Sequence, residues 1–241
     1  MKAMLLAAGF GTRLRPITDS LPKCMVRVAG KPVLQWNIEF LRSQGIVDLV
    51  INLHRHPQAV VDYFQDGASL GVRLNYSYEP ELMGTAGAVW AARRFFLQDR
   101  FIVLYADNLI NCNLQALQAV HLNNNAALTM ALFWRQEVSA SGVVQLNDQG
   151  KIVAFEEKPG KDEMLSHWVN AGLFLCEASL LLQYITPGRP SDFGYDVLPA
   201  LLRAGESLYG YTMGPAESLH WIDTHQDLAY TKKFFTLNNL Q

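Results

Sequence analysis

The chain has 241 residues, half of them hydrophobic and 17% charged, with a formal net charge of −2. That composition belongs to a globular protein large enough to bury a substantial core, not to a disordered chain. Without a positive excess or a Lys/Arg-rich run, a general nucleic-acid-binding surface is excluded, and any anion site has to be built locally.

In chain order, the apolar run 3–8 predicts a strand, not a signal segment, because it passes directly into a glycine turn. Residues 32–44 predict a helix with Leu34, Ile38 and Leu41 on one face, ended by Gly45. A strand follows over 48–53, a helix over 57–64 and a strand over 72–78. Residues 84–94 open with small residues and continue as helix, and 101–105 is a fully apolar strand that runs out to Asp107. Strands alternating with helices imply right-handed crossovers and a mostly parallel sheet. Past residue 125 the pattern turns to strands over 126–133, 142–145, 152–156 and 168–176, with a turn at Asp148-Gln149-Gly150. Helices are expected over 178–184, 193–203 and 225–237. No linker, repeat or low-complexity tract interrupts the chain, so residues 1–241 are expected to form one domain. The expected class is α/β, a Rossmann-like three-layer α/β/α arrangement around a mostly parallel mixed central sheet.

The first strand leads into Leu6-Ala7-Ala8-Gly9-Phe10-Gly11-Thr12-Arg13-Leu14-Arg15-Pro16, followed by Pro22-Lys23. Glycines bring backbone N–H groups close to an anion, and Arg13 and Lys23 add a planar fork and a mobile point charge. A Walker A loop is excluded because no lysine directly follows a glycine here. The dinucleotide fingerprint is excluded because Leu14 stands where its third glycine belongs. A polyphosphate cradle at the carboxyl end of the first strand is the reading that remains.

This motif resembles the signature of the sugar-1-phosphate nucleotidyltransferases, and the resemblance extends over nearly the whole chain. It implies transfer of a nucleotidyl group from an NTP to a sugar 1-phosphate, releasing pyrophosphate, with Mg2+ as cofactor. Arg13 and Lys23 are then the catalytic cations. Ala7, Ala8, Gly9, Gly11, Thr12, Arg13, Glu79, Gly84, Thr85 and Ala86 are expected to bind the nucleotide. Gly142, Glu157, Lys158 and Asn170 are expected to bind the sugar phosphate. Asp107 and Asp223 are expected to hold the metal, with Asp227 as an alternative to Asp223. Asp223 stands in Asp223-Thr224-His225, shorter than the Asp-x-Gly-Thr of many relatives. Residues 1–125 are expected to serve mainly the nucleotide and 126–241 mainly the sugar phosphate. The chain ends where some relatives carry a left-handed β-helix.

The carboxylates Glu79 and Glu81 favour guanine, whose N1–H and N2–H2 donors share one edge, so GTP with mannose or manno-heptose 1-phosphate is the expected pair. The alternatives are a thymidylyl- or uridylyltransferase on another sugar 1-phosphate, a cytidylyltransferase on a phosphate such as phosphocholine, or a nucleotide-sugar-sensing relative without turnover. Cys24, Cys112 and Cys176 are odd in number and scattered, which fits a reducing cytoplasm better than a disulfide framework or zinc site. No apolar run reaches a membrane span. No membrane or nucleic-acid partner is expected, and a homo-oligomer is left open.

Overall fold

A computed structural model describes residues 1–97, 100–160 and 165–237. The elements in chain order are β1 (Lys2–Leu6), β2 (Arg27–Val28), β3 (Lys31–Pro32), α1 (Val33–Ser43), β4 (Asp48–Leu53), α2 (Pro57–Phe64) and β5 (Arg73–Tyr78). Next come α3 (Gly84–Ala91), β6 (Arg100–Tyr105), β7 (Asn108–Asn111), α4 (Leu114–Asn123), β8 (Leu128–Trp134), β9 (Gly142–Leu146) and β10 (Ile152–Glu157). The chain continues through β11 (Trp168–Glu177), α5 (Ala178–Leu181), α6 (Leu198–Arg203), β12 (Leu208–Thr212), β13 (Ser218–Trp221) and α7 (His225–Leu237). These elements fall into two compact units built from interleaved stretches. The first takes Met1–Leu82, Leu104–Asn111 and the stretch from Ser218 onward; the second takes Met83–Val103 and Cys112–Glu217.

In the first unit β4 is the middle strand, parallel to β1 (Lys2↔Asp48 to Leu6↔Asn52) and to β5 (Asp48↔Arg73 to Leu53↔Tyr78). Its sequence Asp-Leu-Val-Ile-Asn-Leu is buried after the first residue, as a parallel strand covered on both faces requires. The three strands end along one edge, the edge at which open α/β sheets bind ligands. The chain leaving β6 joins them there, where the Ala106 N–H donates to the Leu6 carbonyl at 3.0 Å. Helix α1 buries Val33, Leu34, Ile38 and Leu41 at helical spacing. Asn37 on the same face donates from Nδ2 to the Asn108 carbonyl at 2.8 Å, tying α1 to β7. Strands β7 and β13 pair antiparallel, Asn111↔Ser218 to Asn108↔Trp221. Leu14, Val26, Val28, Leu109, Ile222 and Phe235 close a core cluster that draws on all three stretches of this unit.

In the second unit β8 lies between β11 and β12, antiparallel to the first and parallel to the second. Strand β11 also pairs with β9, and β9 with β10 as an antiparallel hairpin. The β11–β8 register shifts between Asn170 and Phe174, around Gly172 at φ 76°. The α/β class with a mixed, mostly parallel central sheet is therefore as expected.

Several boundaries differ from the sequence reading. The helix expected over 84–94 stops at Ala91 and gives way to a 3₁₀ turn at Arg93–Phe95. The helix expected over 178–184 likewise passes into a 3₁₀ turn at Leu182–Tyr184. The helix expected over 193–203 opens with a wide π-turn, Phe193–Val197, before α6. The Val197 and Leu198 N–H groups make the widening by reaching the Asp192 and Phe193 carbonyls five residues back, just ahead of Pro199, which has no N–H to donate. Strands β2, β3, β7, β12 and β13 were not expected; all are short, and most find partners far along the chain. Each of the two compact units takes segments from both sides of residue 125.

Candidate active site

The glycine turn of the first unit is shaped by sterics as well as by anion chemistry. Gly11 lies at φ +61°, and a Cβ there would stand 3.0 Å from both Lys23 Cβ and Thr18 Cγ2. Thr18 Oγ1 donates to the Gly11 carbonyl at 2.8 Å, and the Leu14 N–H donates to the same carbonyl at 3.0 Å. Leu14 is fully buried, so the side chain that breaks the dinucleotide fingerprint anchors the 3₁₀ turn Thr12–Leu14 in the core. A Cβ at Gly9, by contrast, would meet nothing within 4 Å.

Lys23 opens a further 3₁₀ turn, Lys23–Met25, whose residues are all buried. Its Nζ donates to Asp107 Oδ2 at 2.7 Å and to Asp223 Oδ1 at 2.5 Å. Arg13 Nη2 lies 3.2 Å from the other oxygen of Asp223. The structure thus gathers Arg13, Lys23, Asp107 and Asp223 in one unit, with Lys23 and Asp223 200 residues apart and Arg13 farther still from Asp223. Burial works against the Lys23 charge, but Asp107 and Asp223 outweigh it and raise the ammonium above its ordinary value. Burial likewise works against the Asp223 charge, and Lys23 and then Arg13 outweigh it and hold the carboxyl below its ordinary value. Lys23 and Asp223 are therefore both charged at neutral pH. Asp227 is engaged differently: its Oδ2 accepts from the Thr224 N–H at 2.9 Å and from Thr224 Oγ1 at 2.8 Å, closing a reciprocal cap at the start of α7.

Two carboxylates converging on one cation position are a donor set that fits a hard divalent ion. Mg2+ is commonly held by one or two carboxylates, with water and substrate oxygens completing its shell. Among the described residues no cluster of three or more His, Cys, Asp or Glu forms a full protein cage.

Asn52, which sequence reasoning missed, links the ends of the three parallel strands. Its Oδ1 accepts from the Ala7 N–H at 2.7 Å and its Nδ2 donates to Glu79 Oε1 at 2.7 Å. His54 Nδ1 hydrogen-bonds the Glu79 carbonyl at 2.8 Å, and Glu79 is only 4% exposed. The Ala7 amide is thus already committed within the protein. The available signal was a polar side chain near the end of an otherwise apolar strand. His54 serves this scaffold, and the buried Cys24 thiol is pushed up to about 12 by burial, far from thiolate chemistry.

In the second unit the small residues that open α3 seat a neighbouring segment. A Cβ on Gly84 would lie 2.4 Å from the Ser191 carbonyl oxygen, and one on Gly87 3.1 Å from that of Arg189. The Ala86 and Gly87 N–H groups both donate to the Ser191 carbonyl at 3.0 Å. Thr85 Oγ1 donates to Asp192 Oδ2 at 2.8 Å and accepts from the Phe193 N–H at 2.8 Å.

The remaining residues gather along three adjacent strands of this unit. Gly142 on β9 pairs with Glu157 on β10, and Val143 pairs with Val169 on β11. Continuing that register by one residue brings Asn170 level with Gly142. A Cβ on Gly142 would fall 2.8 Å from Glu157 Oε2, and one on Gly194 2.5 Å from it, so both glycines clear space for this carboxylate. Burial raises the Glu157 carboxyl above its ordinary value, against the opposing pull of Lys158. Lys158 sits at φ 53°, with Nζ 3.7 Å from Glu157 Oε1 and 5.8 Å from the centre of the Tyr195 ring. Gly194 and Tyr195 fall at the start of the helix expected over 193–203, where no local pattern marks them as neighbours of Glu157 and Lys158. Asn170 Oδ1 accepts from the Gly172 N–H at 2.8 Å.

The family model described as nucleotidyl transferase matches residues 2–236. A UTP–glucose-1-phosphate uridylyltransferase from Synechocystis sp. is 35% identical over 236 residues, covering 92% of this chain and 60% of that protein. A mannose-1-phosphate guanyltransferase from Yarrowia lipolytica is 32% identical, covering 94% of this chain and 61% of its own length. A mannose-1-phosphate guanylyltransferase from Mycobacterium tuberculosis is 31% identical, with 92% and 60% covered. The chain thus spans about 60% of the length of these relatives. Among solved structures, a UDP-glucose pyrophosphorylase complexed with UDP-glucose superposes with a TM-score of 0.84 at 19% identity, covering 98% of each chain. HddC from Yersinia pseudotuberculosis complexed with GMP-PN gives 0.80 at 20% identity, covering 97% of this chain and 99% of its own. At such identities the likeness establishes the fold alone.

Proposed function

Because the chain belongs to the nucleotidyl transferase family, we propose that it transfers a nucleotidyl group from an NTP to a sugar 1-phosphate, releasing pyrophosphate. The observation that carries this reading is the convergence of Lys23 and Arg13 with Asp107 and Asp223 beside the glycine turn. A sugar phosphate is already ionised near neutral pH, so the reaction needs no general base. What it needs is positioning and charge stabilisation at the α-phosphorus. Arg13 takes the β- and γ-phosphates. Lys23 takes the charge that develops at the α-phosphate. Asp107 and Asp223 hold Mg2+, which supplies charge neutralisation at the phosphate oxygens when bound. Gly9, Gly11 and Thr12 let the backbone approach the phosphates and Ala8 serves the base, while Glu79 is engaged by Asn52 and Thr85 and Ala86 by the 191–193 segment. Lys158 orients the attacking phosphate, and Glu157, Asn170 and Gly142 contact the sugar.

GTP with mannose or manno-heptose 1-phosphate is the favoured pair. Its support is the relatives named for guanylyl transfer to mannose 1-phosphate, since the buried Glu79 carboxylate is engaged by Asn52. The uridylyltransferase relative makes UTP with glucose 1-phosphate the second reading. A pyrophosphate-release assay over the common NTPs, each with mannose, manno-heptose and glucose 1-phosphates and with phosphocholine, separates these readings. Turnover is expected with a sugar 1-phosphate, fastest with GTP. Nucleotide binding without turnover on any acceptor would identify a sensor and overturn the enzymatic reading.

A further inference from the structure

Lys23 Nζ occupies the point at which the Asp107 and Asp223 carboxylates converge, 2.7 Å from one oxygen and 2.5 Å from the other. Its side chain is 9% exposed against 39% for Asp107 and 26% for Asp223, so the ammonium is sheltered while the carboxylates stay reachable from solvent. The backbone beneath it is pinned, with the Met25 N–H on the Pro22 carbonyl at 2.8 Å and the Val26 N–H on the Lys23 carbonyl at 3.0 Å. Only the flexible four-carbon stem can carry the charge elsewhere.

A divalent ion seated on the same two oxygens would need the position the ammonium already holds. We propose that Lys23 is the resident cation of this carboxylate pair, that a divalent metal binds there by displacing it, and that metal and nucleotide therefore bind cooperatively. The inference rests on the reading that Asp107 and Asp223 hold the metal and Lys23 serves the α-phosphate. Charge balance gives its direction. Lys23 and Arg13 neutralise Asp107 and Asp223 as they stand. A metal alone leaves two excess positive charges and an expelled ammonium without a partner. A metal arriving with a polyphosphate gives that ammonium a new anion, and by linkage each ligand then raises the affinity for the other equally.

Titration with Mn2+, read from the electron-paramagnetic signal of the free ion, tests this without turnover. The wild-type protein is measured alone and with the non-transferable α,β-methylene analogues of GTP and UTP. Lys23→Met is expected to bind Mn2+ about tenfold more tightly than wild type without nucleotide, the size of a typical coupling. Against the analogue alone, which chelates Mn2+ itself, an analogue should tighten Mn2+ on the wild type by a larger factor than on Lys23→Met, where only direct ligation by its phosphate oxygens remains. Thermal unfolding checks that the variant is folded, and Lys23→Gln replaces it if it is not. Equal Mn2+ affinity in folded wild-type and uncharged variants, lost in Asp107→Asn and Asp223→Asn, overturns the displacement and leaves the metal assignment standing. Mn2+ affinity unchanged in both aspartate variants overturns the metal assignment itself.

Discussion

Gly11 and Gly9 share a loop but answer to different constraints, and substituting each separates structure from chemistry. Gly11→Ala meets both a left-handed backbone and 3.0 Å contacts, so it is expected to lose about 1–3 kcal/mol in urea unfolding and to disturb Lys23. Gly9→Ala meets open space and is expected to keep wild-type stability while raising the KM for NTP. Lys23→Ala is expected to lower kcat by about 10²–10³-fold, the usual loss of one preorganised cation or donor, with circular dichroism reporting the fold. Gly194→Ala pushes on the Glu157 carboxylate and should raise the KM for the sugar 1-phosphate without changing that for NTP. Away from the site, His121 is almost fully buried, with ring nitrogens 2.9 Å from Thr129 Oγ1 and 3.2 Å from Glu177 Oε1, which Arg100 also contacts at 3.0 Å. Burial depresses its basicity below the ordinary 6.5, against the opposing pull of Glu177. The unfolded chain therefore takes up the proton first. The stability this residue contributes is complete above pH 6.5 and is lost as pH falls from there toward the depressed native value. The thermal midpoint should drop as pH falls below 6.5, and less steeply in His121→Asn.

At the scale of elements, the opening of α3 was legible as a glycine-containing helix start, but its partner was not. Thr85 spends its hydroxyl on Asp192 and Phe193, and the glycines bring α3 against the Ser191 backbone. Thr85→Val is therefore expected to cost about 1–3 kcal/mol in denaturant unfolding, the penalty for leaving such groups unsatisfied. The long apolar strands β1, β4, β6, β8 and β11 were readable because burial on both faces demands continuous apolar runs. Strands β7 and β13 were not, because a four-residue strand is defined by its ladder, and theirs joins residues 108–111 to 218–221. Asn52 was hidden for a similar reason. Nothing local says that a polar residue near the end of β4 will take the Ala7 amide with one atom and the Glu79 carboxylate with another.

For the whole molecule, the interleaving of the two units has a direct consequence. A fragment of residues 1–125 retains Leu14, Val26 and Leu109 but lacks Ile222, Leu228 and Phe235, which complete the same cluster. It is expected to lack a cooperative thermal transition, whereas the 1–241 chain should show one. The α/β class, the succession of the main strands along the chain and the glycine-arginine-lysine loop were set by the sequence itself, because apolar periodicity and turn chemistry act over a few residues. The pairing of Lys23 with Asp107 and Asp223, the use of Asp227 as a cap, the clearing of space for Glu157 by Gly142 and Gly194, and the division into interleaved units were decided by the tertiary structure alone. Those features join residues that only folding brings within hydrogen-bond reach, and no local pattern records which distant partner a charge or a glycine will meet.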